Sequence, residues 1–296
     1  MENPPKKISD NVWMLGILDQ PYYLVKGNDG MAVVEGGVST VAPLVVRQLA
    51  GLNMPSPLTH LIITHTHTDH MTGLIRLKKE MPELILTGSK DTDWVLSNKK
   101  ILGRLQEGDK MYADMFLSQG LTEALQNPLK ETSFPLDKII EDNDTLSLGG
   151  VSLNFIDAPG HAPGNICIKV MPDNLVFISD TAGYATNQKK VYPLFFQNFN
   201  LYVESIKKIK AMEPSAIALG HHLVINDKKQ AEAFLAMAVK AAMEMKGEMC
   251  AGKTKNDEMA HDFAKRLAGF GFFKYFPADT LKSYAELLIR RAAEAD

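Results

Sequence analysis

The stretch LIITHTHTDHMTG, which runs from Leu61 to Gly73, decides how the rest of the chain is interpreted. Its apolar and β-branched opening predicts a short strand buried on both faces. If that strand continues into the histidines, His65 and His67 lie two positions apart and point to the same side. Both imidazoles can then reach one cation at about 2.0–2.1 Å. Asp69 and His70 follow in a predicted loop, where the chain can turn and present both side chains to a second cation.

Three further residues of metal-ligand type stand downstream, each at the end of a predicted strand. His161 lies in the turn DAPGHAPG just after a strand, Asp180 ends the apolar strand LVFISD, and His221 ends the strand AIALGH. α/β proteins build their sites at the carboxyl ends of strands. A histidine-rich surface turn is the alternative explanation of the first stretch. Because five of the eight histidines hold such positions, the pattern favours a metal site.

The composition is that of an ordinary globular protein and excludes several classes. The chain has 296 residues, a formal net charge of −3 and 45% hydrophobic residues, which suits one large domain or two small ones. No clustered basic stripe points to nucleic acid. The two cysteines, Cys167 and Cys250, form no CxxC pair. No signal-peptide pattern and no apolar run of about 18 residues is visible, so we expect a cytoplasmic protein without a membrane segment.

Strand and helix patterns alternate along most of the chain, which predicts an α/β fold. The runs PYYLV and MAVVEGG flank a glycine-bounded turn and predict a hairpin, and VAPLVVRQLAGL has helical spacing. Residues from about 90 to 135 are charged and mostly helical in period, which predicts an insertion. We therefore expect a catalytic domain over residues 1–227 that includes this insertion, followed by a helical C-terminal extension over residues 228–296.

The ordered motifs HTHTDH, GH, SD and GH resemble the H-x-H-x-D-H motif and the three later ligands of the metallo-β-lactamase superfamily. The resemblance covers roughly residues 10–226 and implies an αββα sandwich with metals at one edge between the sheets. Within that superfamily, PYYLVKGNDGMAVVEGGVS, the insertion near Trp94 and the helical tail resemble the branch of glyoxalase II and the quinolone-signal response thioesterase. In that thioesterase the terminal helices cover the active-site entrance, so we expect the tail to form a cap.

This resemblance implies two divalent metal ions and assigns a ligand set. Zinc is the first expectation, with iron or manganese as alternatives, because histidine and aspartate without cysteine suit all three. The first ion would be held by His65, His67 and His161, the second by Asp69, His70 and His221, and Asp180 would bridge the two.

Three more residues are candidates for orienting a ligand or touching substrate. Glu35, in VVEGG, matches the acidic residue that ends an early strand in the superfamily. Tyr184, four residues after Asp180, is either an oxyanion donor or an aromatic wall. His222, beside His221, either orients a metal ligand, contacts substrate or does neither.

The expected activity is hydrolysis of a small thioester or related acyl ester by a metal-bound hydroxide, with Asp69 orienting the nucleophile or passing its proton on. A lactonase of the same fold and a metal-loaded, non-catalytic effector are the alternatives. A flavodiiron-type redox protein is disfavoured, because those proteins usually carry a glutamate where His67 stands and are followed by a flavin domain. A nuclease is disfavoured because the net charge is near neutral and no clustered basic stripe for nucleic acid is visible. The expected partner is a small acyl substrate, not nucleic acid or membrane, and a homodimer stays open.

Overall fold

The computed structural model describes residues 4–123, 127–251 and 256–295. The chain divides into two compact units, the first formed by Met1–Asp157 and Pro163–Leu175 and the second by Ala158–Ala162 and Val176–Asp296. The predicted domain boundary at residue 227 stays a prediction. The predicted insertion and tail also include residues 124–126, 252–255 and 296, which lie outside the described residues. Within the described ranges, no helix combines the length and apolar character needed to cross a membrane.

The first unit contains a seven-stranded sheet whose strands lie side by side in chain order. The first four strands pair antiparallel, and the last four pair parallel. The predicted hairpin is confirmed, with Leu24 opposite Val33. These strands are β1 (Lys6–Lys7), β2 (Val12–Ile17), β3 (Gln20–Lys26), β4 (Met31–Val34), β5 (Leu58–Ile62), β6 (Ile85–Gly88) and β7 (Lys138–Ile139).

Helices connect the parallel strands of this sheet, and three short strands complete the unit. α1 (Ala42–Leu52) joins β4 to β5, and α2 (Thr68–Glu80) joins β5 to β6. Because β4 and β5 run parallel, their carboxyl ends lie at the same edge of the sheet. The Glu35 N–H donates to the Ile62 carbonyl across that edge at 3.2 Å. The strands β8 (Thr145–Ser147), β9 (Ser152–Asp157) and β10 (Ile166–Met171) form an antiparallel set in the order β8-β9-β10.

The predicted insertion is helical in its first part. α3 (Lys90–Ser97) is capped by Ser89, whose hydroxyl accepts from the Thr92 N–H. α4 (Lys99–Ser118) is capped by Asn98, whose side chain accepts from two backbone N–H groups. The helical pattern was expected to reach residue 135. It ends at Ser118 because Gly120 takes a left-handed φ of +67°, which terminates a helix. No helix occurs in the described part of residues 119–135.

Helix α2 begins earlier than the sequence suggested. The sequence predicts a loop at Asp69 and His70, whereas α2 starts at Thr68 and carries both residues in its first turn. An aspartate in the first turn suits the positive end of the helix dipole. Gly73 lies inside the helix for a packing reason: a Cβ there would stand 1.7 Å from the Tyr22 hydroxyl oxygen and 2.0 Å from the Gly36 carbonyl oxygen.

Gly73→Ala is therefore expected to destabilise the protein by about 3 kcal/mol or more, because overpacking against backbone cannot relax cheaply. Gly103→Ala is the matched control, since Gly103 is also inside a helix and a Cβ there would meet nothing within 4 Å. That change should stabilise by up to about 1 kcal/mol through helix propensity. Urea unfolding of both variants measures the free energies. Equal stability of the two variants would contradict the close approach at Gly73.

Among its described residues, the second unit has its own strands and five helical segments. In it, β14 lies between β11 and β15 and pairs antiparallel with β15, while β12 and β13 form a separate hairpin. The strands are β11 (Leu175–Ser179), which begins at the unit boundary, β12 (Tyr184–Asn187), β13 (Lys190–Tyr192), β14 (Ala216–Leu219) and β15 (Val224–Ile225). The helices are α5 (Phe199–Ala211), α6 (Lys228–Ala251), α7 (Asn256–Ala268), a 3₁₀ helix (Gly271–Tyr275) and α8 (Ala278–Ala293).

Candidate metal centre

Glu35 lies at the centre of a polar cluster in the first unit. It follows β4 with a left-handed φ of +67°, a conformation uncommon for a residue with a side chain, and it is 1% exposed. Its Oε1 lies 2.7 Å from His70 Nδ1 and accepts the Thr64 hydroxyl at 2.9 Å. Glu35, His65 and His70 each bring a possible ligand atom within 4.8 Å of the others. Glu35 thus orients the His70 ring, so that Nε2 is the nitrogen on the side of Asp69.

His65 and His67 stand after the strand rather than within it. β5 ends at Ile62, so the expected extended strand through both histidines is wrong. The loop nevertheless brings them together, with His65 Nε2 3.2 Å from His67 Nδ1. His67 is the N-cap residue of α2. Ile166 supports the loop from the other side, because its N–H donates to the Thr64 carbonyl at 2.9 Å.

Asp69 and His70 are neighbours on the first turn of α2. Asp69 Oδ2 lies 3.7 Å from His70 Nε2, and the Asp69 side chain is 11% exposed. His70 itself is buried at 1% exposure. The first turn of α2 thus holds a carboxylate oxygen and an imidazole nitrogen, two kinds of metal-ligand atom, beside each other.

The second unit holds His161, Asp180 and His221 together. Asp180 follows β11 and His221 follows β14, and the Gly220 N–H donates to the Ser179 carbonyl at 3.1 Å, which brings the two strand ends together. Asp180 Oδ2 lies 3.7 Å from both His161 Nε2 and His221 Nε2. All three residues are less than 5% exposed. One carboxylate oxygen therefore faces two imidazole nitrogens in a buried setting.

The His161 ring is fixed from behind by a loop that the sequence did not indicate. Its Nδ1 donates to the Leu194 carbonyl at 2.7 Å. The Gly160 carbonyl accepts the Gln197 N–H at 3.1 Å, and the Gly160 N–H donates to the Gln197 side chain at 2.9 Å. A Cβ on Gly160 would lie 2.1 Å from the Tyr202 nitrogen, so only glycine allows this approach. A histidine ligand held through its other nitrogen is the usual arrangement at protein metal sites.

Tyr184 and His222 form a hydrogen-bonded pair beside His221. The Tyr184 hydroxyl lies 2.9 Å from His222 Nε2, and its ring centroid is 5.1 Å from that of His221. The Phe272 N–H donates to the same hydroxyl at 3.4 Å. Phe272 also lies 5.4 Å from the His221 ring. Tyr184 and Phe272 therefore make an aromatic wall against His221, and Phe272 comes from the 3₁₀ helix in the C-terminal part of the chain.

Buried tyrosines near these clusters stay protonated. Burial raises the pKa of Tyr22 well above its usual value, and the carboxylates of Asp109 and Glu35 raise it further. Burial also raises the pKa of Tyr202, with Asp180 contributing. At neutral pH both phenols carry no charge. The Tyr22 hydroxyl donates to the Val38 carbonyl at 3.1 Å, and the Tyr202 hydroxyl accepts the Leu194 N–H at 3.4 Å.

The donor chemistry and spacing fit a divalent cation. Two ligand atoms that bind one ion at 2.0–2.2 Å lie about 3.3–3.8 Å from each other when the angle between them at the ion is about 110–120°. The 3.7 Å separations around Asp180 Oδ2 and between Asp69 and His70 have this length. They are too long for a strong hydrogen bond. Imidazole and carboxylate donors without thiolate suit zinc, iron or manganese.

The chain belongs to the metallo-beta-lactamase superfamily, whose family model matches residues 15–221. It is similar to the metallo-beta-lactamase fold-containing protein ST1585 of Sulfurisphaera tokodaii, 23% identical over 228 residues that make up 75% of this chain and 80% of that protein. The crystal structure of ST1585 superimposes with a TM-score of 0.60 at 20% identity, covering 97% of this chain and 100% of that one. The predicted α/β fold class and superfamily are confirmed.

Two enzymes are similar over shorter stretches. A hydroxyacylglutathione hydrolase of Rhizobium johnstonii is 26% identical over 125 residues, 42% of this chain and 34% of that enzyme. The atrochrysone carboxyl ACP thioesterase AgnL7 of Paecilomyces divaricatus is 23% identical over 172 residues, 57% of this chain and 39% of that enzyme. Fold, histidine cluster and relatives together support a hydrolase. They leave the substrate unassigned.

Proposed function

We propose that the protein is a dinuclear metal-dependent hydrolase of a small thioester or a related acyl ester. The observation that carries the proposal is the position of Asp180, whose Oδ2 faces His161 Nε2 and His221 Nε2 at 3.7 Å each. A carboxylate between two imidazoles has the chemistry of a bridging ligand. The proposed ligands are His65, His67 and His161 for one ion and Asp69, His70 and His221 for the other, with Asp180 shared.

Two bound divalent cations would supply Lewis acidity, which makes water nucleophilic at neutral pH and stabilises negative charge on an attacked carbonyl. The protein's own residues provide the geometry. Glu35 accepts from His70 Nδ1, and the Leu194 carbonyl accepts from His161 Nδ1, so both rings present Nε2. Such partners raise the basicity of the ring and fix its tautomer.

Asp69 is the proposed catalytic carboxylate. Of the two proposed metal ligands on the first turn of α2, Asp69 is the more exposed, with an 11% exposed side chain against 1% for His70. From that position its second oxygen can orient the attacking water and accept its proton. The aromatic wall of Tyr184 and Phe272 would bound the substrate on the side of His221 and exclude water, which strengthens the electrostatics of a site.

The proposed substrate class rests on the named activities of relatives, a thioesterase and a hydroxyacylglutathione hydrolase. Neither relative is similar enough in sequence for its particular acyl substrate to be assigned to this chain. The proposal places the activity in the cytoplasm and takes zinc as the first metal to test. A homodimer stays a prediction.

The first experiment is elemental analysis of protein purified without chelator, followed by turnover with the metal found. We expect about two zinc, iron or manganese ions per chain, and hydrolysis within a panel of acyl thioesters. Turnover of lactones instead would select the lactonase alternative. Two ions without turnover on either panel would favour the metal-loaded effector, and absence of metal after reconstitution would refute the ligand assignment.

A further inference from the structure

The helical insertion carries a buried carboxylate, Asp109 of α4, which is 4% exposed. Its Oδ1 accepts the Ser39 N–H at 2.9 Å and the Thr72 hydroxyl at 2.7 Å, and its Oδ2 accepts the Ser39 hydroxyl. No lysine or arginine of the described residues pairs with it. A buried carboxylate satisfied only by neutral donors is costly unless its geometry is well fixed. Its bonds therefore tie three separate segments together.

We propose that Asp109 is a positioning residue for the ligands on the first turn of α2, and so for the second metal ion. The inference rests on the proposed function. The hydrogen bonds of Asp109 go to Ser39 and Thr72, neither of which is a proposed metal ligand. It acts through the loop of residues 35–39 and through Thr72.

The loop of residues 35–39 is fastened to α2 at two points. At one end Glu35 accepts from His70 Nδ1 at 2.7 Å. At the other end Ser39 donates to Asp109, which also accepts from Thr72, two residues after His70 on the same helix. Between these points the Gly73 N–H donates to the Gly37 carbonyl at 3.1 Å. Loss of Asp109 would release one end of the loop that orients His70.

Helix α4 also approaches the start of α2 directly. The Thr68 hydroxyl donates to the Leu105 carbonyl at 3.3 Å. A Cβ on Gly108 would lie 2.9 Å from the same hydroxyl oxygen. Thr68 is the residue before Asp69, so the insertion supports the turn that carries both proposed ligands. Displacement of a catalytic group by about 1 Å can cost about 100-fold in rate.

The test compares Asp109→Asn with Asp114→Asn. The first variant keeps the side-chain size and one oxygen that can accept the Ser39 N–H and the Thr72 hydroxyl, but it removes the negative charge and replaces the Oδ2 that accepts the Ser39 hydroxyl with an NH₂ group, which cannot accept. The control changes a carboxylate on the same helix whose side chain is 64% exposed and pairs with Lys110. Competition with a chromogenic chelator resolves the affinities of the two zinc ions in each variant, alongside the free energy of unfolding.

We expect Asp109→Asn to bind one zinc ion as the wild type does and the other about 10- to 100-fold more weakly, the usual effect of a lost supporting partner. Asp114→Asn should match the wild type for both ions. A purely structural role would lower stability and leave both zinc affinities unchanged, and that result would overturn the inference alone. If the wild type binds no metal, the proposed function fails and this inference fails with it.

A second variant decides the matter if Asp109→Asn does not fold. Ser39→Ala removes only the hydroxyl donor and keeps the Ser39 N–H bond to Asp109. A several-fold weaker affinity for one zinc ion supports the positioning role. Wild-type affinities for both ions overturn it.

Discussion

Asp69→Ala is expected to abolish hydrolysis while leaving the fold intact. The carboxylate is proposed both to bind the second ion and to hold the attacking water, so kcat/KM should fall by roughly 10²- to 10⁴-fold or more. The fold should survive because the side chain is partly exposed at the start of α2. The lost charge at a helix N-terminus costs about 0.3–1 kcal/mol. Steady-state kinetics on the best thioester, with urea unfolding in parallel, measures both quantities.

The control for this change is Asp279→Ala. Asp279 also lies in the first turn of a helix, α8, and is exposed, so its loss tests the same effect on the helix dipole without touching the proposed site. We expect full turnover from this variant. Turnover by Asp69→Ala equal to that of the control would remove Asp69 from the mechanism.

Much of the candidate site could be predicted from the sequence because its residues stand where apolar runs stop. Glu35 follows β4, Asp180 follows β11 and His221 follows β14 within two residues. The end of a buried strand can be located in the sequence because the strand itself is a run of apolar residues, and the first polar residue after that run marks where the strand stops. Parallel neighbours then bring those ends to one edge, as the bond from Glu35 to Ile62 shows.

The local conformation around the histidines could not be predicted in the same way. The sequence predicts a loop at Asp69 and His70, whereas they lie in α2, where Gly73 allows the helix to contact Tyr22 and Gly36 closely. That contact is a tertiary one, and tertiary packing routinely overrides local propensity. The histidine spacing of two suggested a strand, yet the turn after Ile62 also brings His65 and His67 together.

Supporting partners were invisible in the sequence for a different reason. The Leu194 carbonyl accepts from His161 across 33 positions, and Asp109 accepts from Ser39 across 70. A backbone carbonyl has no residue-type signal, and one aspartate on an amphipathic helix looks like any other. The ligand types of a site are therefore predictable, while the residues that orient them depend on the folded chain.

Asp180→Asn is expected to have the second large effect, on metal content as well as on turnover. Asparagine keeps the size of the buried side chain but removes its charge and one of its two oxygens. Two divalent cations about 3.5–4 Å apart repel each other strongly, and an anionic ligand shared between them offsets that repulsion. We therefore expect the metal content to fall from about two ions per chain to one or fewer, with a loss of kcat/KM of at least about 10²-fold.

Asp262→Asn is the matched control in the same unit. Its side chain is 57% exposed and pairs with Arg266 on the surface, where an ion pair contributes about 1 kcal/mol or less. Elemental analysis of both variants after identical purification gives the metal count, and circular dichroism confirms the fold. If Asp180→Asn keeps two ions and full turnover, Asp180 does not bridge the ions. Its 3.7 Å spacing to His161 and His221 would then reflect an ordinary buried polar cluster, because a neutral amide cannot replace a carboxylate that two cations share.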